Sequence, residues 1–112
     1  HVSSRTIEVF DTKGERLRYV NVYDVEGKLL AMELDQPSGF GLGGINKGDT
    51  ILIQEDAKIK DEDVIMYESE HGFLIGQLIG KSIVHKSYDI RHVAHLADVS
   101  VVGKVVQCIK KF

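Results

Sequence analysis

Apolar and polar positions alternate in short blocks along most of this chain, and each block ends in a turn signal. Residues 7–10 form a short apolar run, and 11–14 read as a turn. Residues 17–23 (LRYVNVY) are rich in β-branched and aromatic side chains, the composition of a half-buried strand. Glu26-Gly27 marks the next turn. Residues 28–34 (KLLAMEL) fit either a strand or a helical turn leading into one, because Leu and Met serve both. A glycine-rich stretch follows at 35–48, then strand candidates at 50–55, 64–69, 73–79 and 82–88. The last run, 99–109 (VSVVGKVVQCI), is β-branched throughout except at Gly103, where a bulge or kink is expected. Strand signals recurring about every ten residues predict a mainly β barrel or sandwich. Residues 90–97 (IRHVAHLA) depart from this, with Ile90, Val93, Ala94 and Ala97 at helical spacing, so at most one short helix is expected there.

Composition narrows the classes without changing that picture. The 112 residues suit one small domain, 43% hydrophobic and 28% charged, close to a globular average. No apolar run approaches the ~18 residues of a membrane span, and no leader pattern is legible. The one cysteine, Cys108, excludes an internal disulfide. A net charge of −3 shows no basic stripe of the kind that displaces phosphate counterions, so any DNA contact belongs to another domain.

Three kinds of chemistry deserve a test. The run Gly39-Phe40-Gly41-Leu42-Gly43-Gly44 resembles a phosphate loop in composition, but it leads into a strand rather than a helix, so no nucleotide cofactor is expected. His85, His92 and His95 lie close enough in sequence to suggest zinc, yet lack a recognisable ligand spacing, so no metal is expected. Ser38 is the one serine in a turn-like setting, with no legible base to take its proton, and Cys108 lies in an apolar strand where a thiol is usually inert.

Several short blocks, in order, carry a resemblance. They are Ser38-Gly39-Phe40-Gly41-Leu42, Gly48-Asp49 with the apolar strand after it, Asp61-Glu62-Asp63-Val64-Ile65, the strand FLIGQL at 73–78, and Gly103-Lys104-Val105-Val106. Over about two-thirds of its length the chain resembles the C-terminal domain of LexA and the phage CI repressors, the self-cleaving Ser/Lys peptidase family. The resemblance implies a β-clip fold, a partly open barrel of short twisted strands. In the family a serine nucleophile and a lysine base cut the chain at an Ala-Gly or Cys-Gly bond. Here the serine position matches Gly41 and the lysine position Gly76, and neither dipeptide occurs; Glu26-Gly27 stands where a cleavage site would fall. Glycine supplies neither nucleophile nor base.

The expectation is therefore a catalytically degenerate, pseudo-peptidase member: one oligomerisation domain of a phage-type transcriptional repressor that maintains lysogeny. It would act in the bacterial host cytoplasm, and operator DNA would be bound by a separate N-terminal helix-turn-helix domain. The resemblance also leaves room for an antirepressor protein as the inducing partner. The homodimer surface is expected on the last strand, at Val99, Val101, Val102, Val105 and Val106, which are apolar on both faces, with Met66 and Tyr67 as a second contact. A central strand covered on both faces explains the same valines equally well. Two other readings compete: an active self-cleaving peptidase using a displaced serine such as Ser38, and a structural β domain unrelated to repressors.

Overall fold

The computed structural model describes residues 3–35, 44–70, 72–85 and 93–111. They are mainly β, as the turn spacing predicts. Nine strands are formed: β1 (Ser4–Phe10), β2 (Arg16–Tyr23), β3 (Leu29–Glu33), β4 (Thr50–Gln54), β5 (Val64–Ser69), β6 (Gly72–Ile79), β7 (Ser82–Val84), β8 (Val93–His95) and β9 (Ser100–Ile109). They make one mixed sheet in the order β2-β1-β3-β4-β9-β5-β6-β7-β8. The β1–β3 pairing is parallel and the others are antiparallel. The sheet is not closed into a barrel: β2 and β8 are its two edges.

The sheet's core divides by face. Along β4, Ile51 and Ile53 point into a central cluster with Met32, Leu34, Ile45, Met66 and Ile75. Leu52, between them, points the other way, into a second cluster with Val9, Val22 and Ala31. Ile65 and Tyr67 on β5 flank Met66 in the same manner and enter a third cluster with Leu78 and Ile83. This period-2 division explains why β4 is apolar at consecutive positions: it is buried on both faces.

The described residues agree with at most one short helix near 90–97. Residues 93–98 contain no α-helix. Residues 93–95 pair with β7 (Ile83 opposite Ala94, Val84 opposite Val93), and a single 3-10 turn occupies Leu96–Asp98. Ala94 and Leu96 both pack on the third cluster, so spacing by two outweighed the helical spacing of Val93, Ala94 and Ala97. Residues 90–92 and 86–88 lie outside the described residues. The first strand also begins earlier than its apolar run, at Ser4, because Ser4–Thr6 complete a hairpin with β2. The segment 28–34, ambiguous in sequence, holds strand β3 (Leu29–Glu33).

Candidate functional site

Gly76, the position that the sequence resemblance sets against a lysine, lies in the middle of β6 opposite Ile65 of β5. The surrounding space is occupied. A Cβ on Gly76 would run into Ile83 Cγ2 and would lie 2.8 Å from His85 Cδ2 and 3.1 Å from His85 Nε2. Ordinary carbon contacts are about 3.5–4.0 Å, so this position has no room for a side chain without displacement.

One of the two side chains that fill the space, His85, belongs to a buried polar pair. Tyr67 is fully buried and His85 is 9% exposed. The Tyr67 hydroxyl and His85 Nε2 share a hydrogen bond of 2.5 Å. Their rings stack at a centroid distance of 5.6 Å and an interplanar angle of 24°. Burial pushes the Tyr67 phenol up to about 12, so it keeps its proton at any physiological pH. The sequence singled out both residues for other roles, Tyr67 as an interface residue and His85 as a possible zinc ligand. A tyrosine–histidine pair 18 residues apart has no signature that would have joined them.

The other half of the expected catalytic pair, Gly41, and the alternative nucleophile Ser38 lie outside the described residues, as does His92. His95 Nδ1 accepts a hydrogen bond of 3.1 Å from the Ala97 amide, capping the 3-10 turn. Among the described residues, no group of three or more His, Cys, Asp or Glu side chains is placed to hold a metal ion.

A second buried polar cluster stands where the glycine-rich stretch re-enters the sheet. Asp49 is only 2% exposed. Its carboxylate accepts hydrogen bonds from the Asn46 amide (2.8 Å), the Lys111 amide (3.0 Å) and the Lys110 ammonium (2.5 Å). Lys110 Nζ also donates to the Gly44 carbonyl at 2.5 Å. Burial alone would raise the Asp49 carboxyl; Lys110 and the two amides outweigh it and lower the group to about 2. The thiol of Cys108 lies 3.8 Å from the same carboxylate, and burial together with that negative charge raises it. This Gly48-Asp49 block therefore pins the C-terminal end of β9 to the loop before β4. Lys110 Nζ, beside the Gly44 carbonyl, is thus the counter-ion of Asp49.

The expected interface residues fall in unexpected places. β9 lies in the interior of the sheet, between β4 and β5. Val102 and Val105 pack on the central cluster, Val106 on the second and Val99 on the third. Met66 and Tyr67 have no exposed surface at all. Their apolar faces are thus explained by the chain's own core, and of the seven residues Val101, at 37%, is the most exposed. Periodicity did not separate a twice-covered central strand from a dimer strand; the sheet order did. Gly103 has a local reason too. A Cβ there would strike the Gln54 carbonyl oxygen and sit 2.8 Å from Ile53 Cγ2. The register of β9 against β5 slips at this point, Met66 facing Gly103 and Tyr67 facing Val101. This is the bulge anticipated from the sequence.

No family model matches this chain, and no curated protein does either.

Proposed function

We propose that this domain is the non-catalytic self-association module of a phage-type transcriptional repressor. Operator DNA is held by a separate N-terminal domain, and the setting is the host cytoplasm. The observation that supports this reading most directly is the closed space over Gly76. Where a Ser/Lys peptidase of the resembled family needs a lysine side chain, Ile83 and a hydrogen-bonded Tyr67–His85 pair leave room for hydrogen alone. A serine without such a base stays protonated and unreactive at neutral pH. Among the described residues, no helix is long and apolar enough to cross a membrane.

The value of such a module is effective concentration. Joining two DNA-binding heads makes the second operator contact intramolecular and raises avidity by about 10²–10⁴-fold without a new DNA contact. A two-fold dimer then matches a palindromic operator. Because self-cleavage is lost in this reading, induction comes from outside the chain, through an antirepressor protein that binds this domain.

Sedimentation velocity over a concentration series tests the central claim. Reversible self-association is expected; a monomer at every concentration up to roughly 1 mM, where even weak contacts are populated, refutes it. Incubation at alkaline pH, with and without an activated recombinase filament, is expected to leave the chain intact. Specific fragments that disappear on Ser38→Ala would establish the peptidase reading instead.

A further inference from the structure

We infer that the self-association surface is the edge strand β2, which pairs antiparallel with β2 of a second copy about a two-fold axis. This rests on the self-association reading above and replaces β9 as the place where it happens. β2 is eight residues long and, among the described residues, is paired on one side only, with β1. The opposite edge, β8, is three residues long. A long unpaired edge presents a row of free backbone donors and acceptors, the template for adding a strand.

The outer face of the same strand carries exposed aromatic rings on either side of Asn21, which accepts a hydrogen bond from Thr6 (2.8 Å). Tyr19 and Tyr23 lie opposite Glu8 and Ser4 of β1, on the face away from the second cluster. Tyr19 is 56% exposed, Tyr23 57% and Leu17 44%. They are three of the seven large apolar side chains left exposed among the described residues; the other four are spread over β6, β8 and β9.

Charge selects the direction and the register. The strand is basic at its start (Arg16, Arg18) and is followed at its end by the exposed Asp24. Parallel pairing would set the arginines of one copy beside those of the other. Antiparallel pairing separates them. A two-fold perpendicular to the sheet must place a residue opposite its own mate. With Val20 at that centre, Arg18 faces Val22, Tyr19 faces Asn21, Leu17 faces Tyr23, and Arg16 faces Asp24 at both ends. The exposed face then gathers Leu17, Tyr19 and Tyr23 from both copies. Centring on Tyr19 sets Arg16 against Val22, with no acidic partner across the seam. Centring on Asn21 confines strand-on-strand overlap to residues 19–23, against 17–23 about Val20, and leaves Arg16 without a residue opposite it. Leu17, which has no partner on β1, twists the first residues of the edge, while 18–23 run in regular register with β1. Arg18 stays bound within its own chain, donating to Glu33 (2.9 Å) and Thr50 (2.7 Å), and stiffens the strand it belongs to.

The test is sedimentation equilibrium on the wild-type chain and on Leu17→Lys, Tyr23→Lys and Val101→Lys, with thermal melts to show that each variant folds. Leu17→Lys and Tyr23→Lys are expected to weaken dimerisation by about tenfold or more, since each places two cations in the interface. Val101→Lys is expected to leave it within about twofold, as befits a contact far from the strand. Concentration-dependent amide shifts in the wild type should concentrate at residues 16–24. A dimer that both β2 variants leave intact overturns the assignment, and if Val101→Lys breaks that dimer, β9 is the interface and the self-association reading survives. A wild-type monomer at every concentration overturns both.

Discussion

Replacing Gly76 by alanine tests whether the lysine position is closed. Glycine to alanine in a strand should ordinarily stabilise the chain by about 0.4–1 kcal/mol, because the unfolded state loses freedom. Gly76 has no positive-φ conformation to resist the change, so only packing opposes it. The added Cβ would meet His85 Cδ2 at 2.8 Å and Ile83 Cγ2 closer still. Reaching ordinary contact requires the imidazole to move by roughly 0.7–1.2 Å. Overpacking of this kind costs about 1–3 kcal/mol. Displacing the ring also strains its 2.5 Å hydrogen bond to Tyr67, whose net worth is on the order of 1 kcal/mol. The balance is a destabilisation of about 1–3 kcal/mol, or a melting temperature lower by roughly 4–12 °C. Urea unfolding and a thermal melt followed by circular dichroism measure it. The double variant Gly76→Ala/His85→Ala should cost less than the two single changes added together, since the second removes the atoms the first collides with. A Gly76→Ala protein as stable as the wild type, or more so, would refute the closed-site argument and reopen the position to a catalytic side chain.

Four further outcomes follow from the buried polar groups and β9. Asp49, held near 2 against about 3.8 when free, contributes roughly 2 kcal/mol above pH 4 that is lost as pH falls through 2; Asp49→Asn should flatten that part of the stability-versus-pH curve. Tyr67, raised to about 12 against 10 for a free phenol, should show that late ionisation in ultraviolet absorbance, and its stabilising effect, full below pH 10, should be lost as pH rises through 12. Tyr67→Phe should cost about 1–2 kcal/mol in urea unfolding, by depriving buried His85 Nε2 of its hydroxyl partner; no loss of stability would show that the pair is not a structural bond. Gly103→Ala should destabilise by more than about 2 kcal/mol, because its Cβ meets a fixed backbone carbonyl rather than a mobile side chain end; an unchanged urea midpoint would contradict that close approach.

The sequence by itself determined the strands. Alternation, β-branched content and turn residues are local quantities, and they located β2 to β6 and β9 to within a few residues, along with the bulge at Gly103. It also marked Gly48-Asp49 and Gly76 as unusual positions. What it did not contain was adjacency. Whether the valines of β9 were a dimer face or core depended on β4 and β5 flanking that strand, pairings between residues 32–59 apart in the chain. Helical spacing at 93–97 yielded to pairing with β7 for the same reason: a ladder and a cluster outweigh a weak local preference. Tyr67 and His85 became partners, and Lys110 became Asp49's counter-ion, only when the sheet brought distant segments together. Local propensity is written residue by residue. Which surfaces are covered, and therefore which remain for a partner, is a property of the assembled sheet.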